Sequence, residues 1–116
     1  VVAFVFAMQG DRIVHAIDQK PKHTMALKRI ANIKANPRVS VLVDHYSDAW
    51  DGLWWVRADG IGQILEDEEA RSGPVRLLTK KYEQYREQPP AGPVIAVDVT
   101  KWTGWSYTAP ASEPDQ

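Results

Sequence analysis

The sequence predicts a mainly β domain with helices, a small antiparallel barrel whose openings are covered by helices. Three observations carry this. β-branched and aromatic residues recur in runs at Val1–Met8, Arg12–Asp18, Arg38–Asp44, Leu53–Leu65 and Val94–Val99, the composition of strands that pack a pleated surface. A single helical pattern lies between the second and third runs. A further helical insert precedes the last one. Strands in that order, with no internal repeat, fit a small antiparallel barrel with helices covering its openings.

Taken in order, Val1–Met8 reads as a largely buried strand. Gln9-Gly10-Asp11 supplies turn residues, and Arg12–Asp18 completes a hairpin. Pro21 ends the strand. From Thr24 to about Ala35, Ala26, Leu27, Ile30, Ala31 and Ile33 recur at helical spacing and leave Lys28, Arg29 and Asn32 on the other side. Thr24 suits the N-cap. Asn36-Pro37 stops the helix, because a residue before proline is pushed out of the α region. Arg38–Asp44 is a strand, His45–Gly52 a polar and aromatic loop, and Leu53–Leu65 a long strand. Gly60 and Gly62 inside that strand suggest a bulge or bend. Glu66–Ala70 opens a helix with acids in its first turn. Ser72-Gly73-Pro74 is expected to break it, with a second helix from Val75 to about Arg86. Val94–Val99 reads as the last strand, followed by Lys101–Tyr107. Residues 1–108 are read as one domain and 109–116 as a polar tail.

The 116 residues carry a net charge of −1 and no cysteine. The length supports one core. The charge disfavours wholesale nucleic-acid binding. Without cysteine there is no disulfide framework, thiol nucleophile or thiolate metal site, which is consistent with a cytoplasmic protein. No apolar run reaches the ~18 residues of a membrane span. Val1–Met8 has no basic region before it and reads as a strand, not a signal peptide. The chain starts inside that apolar run without Met, and we expect further residues upstream.

Charge is concentrated in one place. Lys20, Lys22, Lys28, Arg29, Lys34 and Arg38 fall between Asp18 and Asp44 with no carboxylate among them. A basic segment that leads into a helix is suited to an anion, here a phosphate-bearing cofactor. The alternative is a solvated helix face. His15, His23 and His45 have no metal-ligand spacing. No serine sits in a nucleophile elbow, and no glycine-rich nucleotide loop is present. An enzyme with so few candidate side chains needs its cofactor to carry the reaction. Trp50, Trp54 and Trp55 crowd one neighbourhood, and Trp102 and Trp105 another. They suit core packing, a flat aromatic ligand or a subunit interface.

The order Lys20-Pro21-Lys22, helix, Asn36-Pro37-Arg38-Val39-Ser40, then Trp54-Trp55-Val56-Arg57-Ala58-Asp59-Gly60 resembles the split-barrel flavin and deazaflavin proteins of the pyridoxamine-phosphate-oxidase-like group. Leu42–Tyr46, Leu53–Arg57, Lys81-Tyr82 with Gln84-Tyr85-Arg86, and Lys101–Trp105 resemble its branch of probable coenzyme F420-dependent enzymes. The resemblance runs from Phe4 to Trp105. It implies a homodimeric split β-barrel of the FMN-binding type, with the cofactor at the subunit interface. It implies that the backbone of His15, Ala16 and Ile17 runs along the ring system. The phosphate clamp of the flavin relatives falls on Lys20, Pro21 and Lys22, with Pro21 where they carry arginine, and Arg29 is a further candidate for the anionic tail. The glutamine that meets the flavin falls on Trp55. No metal is implied. The activity implied is an F420-dependent oxidoreductase that moves hydride between the ring and a small organic substrate. The alternatives are an FMN-dependent enzyme on the same fold and a non-catalytic F420- or flavin-binding protein. No catalytic side chain is singled out.

Overall fold

The computed structural model of the protein describes residues 4–17 and 23–107, with 23–27 described by their backbone alone. Five strands form one antiparallel sheet: β1 (Ala7–Gln9), β2 (Arg12–Ala16), β3 (Arg38–His45), β4 (Trp54–Leu65) and β5 (Val94–Ser106), in the order β1-β2-β5-β4-β3. Helix α1 (His23–Ala35) links β2 to β3. Helices α2 (Glu68–Lys81) and α3 (Glu83–Glu87) link β4 to β5, and a 3-10 turn at Trp50–Gly52 leads into β4.

The β1–β2 hairpin closes through a two-residue loop, since Gln9 pairs with Arg12. Such loops need a positive φ at their first residue, and Gly10 supplies it at 64°. The bulge expected in the long strand lies where Asp59 pairs with Lys101 and Gly60 with Val99, leaving Thr100 extra on β5. A Cβ at Gly60 would run into the Asp98 carbonyl and stand 2.9 Å from Val97 Cγ1, so only glycine fits this close crossing.

The two faces of the sheet bury different clusters. On one, Ala7, Val14, Ala16, Leu65, Val94 and Ala96 pack under Leu78 of α2, with Tyr82 and Tyr85 beside them. On the other, Ile13, Ile17, Val41, Ala58, Ile95 and Val97 pack against Ile30 and Ile33 of α1 and against Phe4 and Phe6. Alternation along β2 sends Ile13, His15 and Ile17 one way and Val14 and Ala16 the other.

Four expectations are corrected. Ser72-Gly73-Pro74 does not break the helix; α2 runs through Pro74. A mid-helix proline costs about 3 kcal/mol. Here it is buried against the core, and the cap is strong: the Asp67 carboxylate accepts from the Ala70 amide at 2.8 Å. Glu68 and Glu69 stand in the first turn and Lys80 and Lys81 in the last, each charge matched to the helix dipole. The break falls instead at Tyr82, between α2 and α3. The last strand does not end at Val99 but continues to Ser106, because β4 pairs with it throughout, from Leu65↔Val94 to Trp54↔Ser106. The first strand covers only Ala7–Gln9; Phe4–Phe6 leave the ladder, and the Phe6 amide donates to the Tyr82 hydroxyl. Helix α1 starts at His23, which puts Thr24 inside its first turn.

Lengths explain what stays uncovered. Helix α2 has 14 residues and α1 has 13, about 20 Å each at ~1.5 Å per residue. Strands β4 and β5 have 12 and 13 residues, about 40 Å at ~3.3 Å per residue. The helices therefore cover one half of the long strands. In β5 the residues Val94–Val97 are buried, while every residue from Thr100 to Ser106 is exposed. The chain is 49 Å in its longest dimension.

Candidate functional site

At the covered end, β2 finishes at Ala16 and α1 crosses nearby. The β1–β2 ladder stops at Ala7↔Val14. Among the described residues, His15, Ala16 and Ile17 thus have no strand partner on that side, while β5 holds the other side through Ala16↔Val94 and the Ile17 amide donating to the Pro93 carbonyl at 3.1 Å. Arg71 secures that connection from below: its guanidinium donates to the carbonyls of Gly92 and Pro90, both at 2.8 Å.

His15 is buried, with the ring of Phe4 stacked on it at 4.2 Å. Burial lowers its pKa from 6.5 to about 4; the Arg29 cation adds to the shift, and the Ala16 backbone opposes it. The imidazole is therefore neutral at pH 7. Its Nδ1 and the Nε of Arg29 are both buried without a hydrogen-bond partner among the described residues. Arg29 was expected on the solvated side of the helix; it is half-buried instead, with Lys28 and Asn32 exposed. Two orphaned polar atoms in one neighbourhood are unusual, since buried polar atoms are nearly always paired. They fit a ligand that brings its own acceptors and donors. Lys20, Pro21 and Lys22 lie outside the described residues. Lys34 has the ordinary surface role, 3.8 Å from Glu66.

The bare end is different in kind. On the α2 side of the sheet, beyond the reach of that helix, the register aligns Ser40 with Asp59, Leu42 with Arg57, and Asp44 with Trp55; Trp55 in turn pairs with Trp105. An open groove of about 750 Å³ runs over this face. Arg57 donates to the Asp59 carboxylate at 3.0 Å, and the Ser40 hydroxyl donates to the same carboxylate. The Ser40 bond, with help from Arg57, holds Asp59 below the usual carboxylate range. At the groove's end the His45 and Trp54 rings stack at 5.9 Å and 14°. No group of three or more His, Cys, Asp or Glu that could hold a metal occurs among the described residues.

Comparison with known proteins settles the family. The model of pyridoxamine 5'-phosphate oxidase matches residues 2–106. The chain belongs to the pyridoxamine 5'-phosphate oxidase family. Solved structures agree on the fold. A conserved hypothetical protein, Rv2991, from Mycobacterium tuberculosis superposes with a TM-score of 0.69 at 18% identity, over 90% of this chain and 67% of that one. An FAD-binding protein from Mesorhizobium loti gives 0.61 at 20% identity, over 87% and 72%. The FAD-binding protein from Mycobacterium smegmatis gives 0.58 at 18% identity, over 90% and 72%. No curated protein matches the chain.

Within this family member, the expected site residues fall into two groups. His15, Ala16, Ile17 and Arg29 belong to the covered end. Trp55 does not. His15 pairs with Ile95, which pairs with Ile64, and Trp55 lies nine residues further along β4, roughly 30 Å away at ~3.3 Å per residue. One chain does not bring Trp55 and His15 to the same ring. Asp44 and Trp105, neighbours of Trp55 across the sheet, were not singled out as site residues in the sequence. The signal for them was register, and register became readable only once Trp105 was on a strand.

Proposed function

We propose that the protein is an oxidoreductase working through a flavin-type ring cofactor, and that this cofactor is the deazaflavin F420. The observation that carries the reading is the pair of orphaned polar atoms, His15 Nδ1 and Arg29 Nε, beside the backbone edge of His15–Ile17 that has no strand partner among the described residues; in the sequence, the basic Lys20–Lys22 follows that edge. F420 brings a phosphate and a carboxylate tail, and charge-assisted hydrogen bonds from Lys20, Lys22 and Arg29 suit both. When bound, the ring supplies the hydride chemistry. The protein's own groups bind, orient and exclude water, which supports reaction without a dedicated acid or base. A neutral His15 adds no second cation beside Arg29.

The separation of Trp55 from His15 supports a homodimer. A ring that meets both residues takes His15 from one copy and Trp55 from the other, which puts the cofactor at the subunit interface.

The test is F420 binding to the Lys20→Ala/Lys22→Ala variant and to Arg29→Gln, followed by cofactor fluorescence. The double variant is expected to bind roughly tenfold or more weakly, a loss of ~1.4 kcal/mol or greater, with the far-UV circular dichroism unchanged. Unaltered affinity in both variants would remove the basis of the assignment. A flavin is the second reading, favoured by the FAD-binding structural neighbours; FMN is the smaller candidate.

A further inference from the structure

We infer that Tyr82, with Lys81 beside it, is a positioning residue of the candidate cofactor site: it fixes the backbone of Phe6 and thereby holds the Phe4 ring over His15. Strand β1 ends the sheet, so among the described residues no strand pairs with its outer edge. At Phe6, just before β1, the Tyr82 hydroxyl takes that place. It accepts from the Phe6 amide at 3.2 Å and donates to the Phe6 carbonyl at 2.8 Å. One hydroxyl can do both, because it carries a donor and two acceptor lone pairs. Lys81 Nζ donates to the same carbonyl at 2.7 Å and lies 4.4 Å from the centre of the Phe6 ring, a cation against a π face.

The corner that carries Tyr82 is itself fixed. The Tyr82 amide donates to the Leu78 carbonyl at 2.9 Å, and the Tyr82 carbonyl accepts from the Tyr85 amide at 3.1 Å. The two tyrosine rings stand edge-on at 6.0 Å. Arg86 donates to the carbonyls of Thr79 and Lys80 at 3.1 and 3.0 Å, which closes the last turn of α2. Tyr82 packs on the sheet face that holds Val14, Ala16 and Leu78; Phe4 and Phe6 pack on the other, with Ile13 and Ile17. The hold on Phe6 therefore reaches around the edge of the sheet. From Phe6 the contact continues through rings. Phe4 stands edge-on to Phe6 at 6.3 Å and stacks on His15 at 4.2 Å, with planes 29° apart. A phenylalanine at position 82 would fill the same space against the core; what the hydroxyl adds is the hold on Phe6.

That His15 belongs to a cofactor site rests on the reading above, whereas the clamp is tested without it. The readout is the titration midpoint of the His15 ring, followed by NMR on the full chain without cofactor; Arg29 of α1 is the charge that acts on this ring. The native midpoint is expected at about 4. Tyr82→Phe and Phe4→Ala each let water reach the ring and are expected to raise it toward 6.5, by roughly one pH unit or more. Val75→Ala truncates a side chain of the same core cluster about two turns before Tyr82 on α2; it is expected to lower stability and leave the midpoint in place. Thermal unfolding checks that each variant is folded, and Lys81→Met, at an exposed position, repeats the test on the second arm of the clamp. The companion measurement is F420 affinity by fluorescence, expected to fall roughly threefold or more in Tyr82→Phe. A His15 midpoint unmoved by Tyr82→Phe, or an equal rise in Val75→Ala, overturns the clamp. An F420 affinity unchanged by Tyr82→Phe overturns its role at the site. A midpoint that moves as expected in a protein that binds no F420 upholds the clamp and removes the cofactor reading.

Discussion

The two halves of the long strands share one sheet and come to opposite ends. In the half under the helices, Val94, Ile95, Ala96 and Val97 are each 3% exposed or less. In the bare half, Trp102 and Trp105 stand 47% exposed and Trp54 39%. The covered half gains from burial, at ~25 cal/mol per Å² of apolar surface. The bare half keeps large apolar surface in water, where it contributes little to the monomer's stability. The difference teaches that burial is concentrated in one half of the same two strands, with the Gly60 bulge near the boundary.

The largest expected effect contrasts one leucine in each half. Leu78, fully buried under α2, is expected to lose about 3–4 kcal/mol on Leu78→Ala; Leu42→Ala, in the groove, is expected to stay within ~0.5 kcal/mol. Urea unfolding of both variants measures the contrast, and similar losses would erase the distinction between the halves.

Gly60 comes next. A side chain there meets the Asp98 backbone and Val97, so Gly60→Ala is expected to cost about 2–3 kcal/mol. The same substitution at Gly104, in the bare half, finds its nearest atom at 3.5 Å and is expected to be tolerated. Comparing the two melting temperatures sharpens where the crowded half ends.

A third effect, comparable in size to that at Gly60, is set by pH. His15 titrates at about 4 in the folded chain and at 6.5 when unfolded. Between those values the unfolded state takes up the proton and the folded state does not. Stability is therefore full above pH 6.5 and falls as the pH drops toward 4, by up to about 3 kcal/mol. Removing the titrating group in His15→Phe is expected to flatten that limb of the stability curve. An unchanged curve in the variant would mean that His15 is not the group responsible.

Much of this was legible in the sequence. The strand runs, the hairpin glycine at Gly10 and the Asn36-Pro37 stop are local, and local chemistry reads directly. The family resemblance followed from motifs spread over most of the chain. What failed was decided by tertiary contacts. Pro74 is a helix breaker by its own chemistry, and only burial against the core with a strong cap at Asp67 explains why α2 passes through it. Lys101–Ser106 contains a glycine and charged and polar residues, and it becomes strand because β4 is there to pair with it. Arg29 was assigned to solvent by helical periodicity, which cannot see that Phe4 and His15 lie beneath the same helix. At the candidate site, the residue types were visible in the sequence, but the ~30 Å between His15 and Trp55 was not, because neither the register nor the length of β5 could be read from composition.

The most direct test of the cofactor claim is a side-by-side equilibrium titration of the native protein with F420, FAD and FMN, read by cofactor fluorescence and absorption. Saturable binding of F420, with FAD and FMN weaker, is the result this account expects. Saturable binding of FAD or FMN with none of F420 would contradict it.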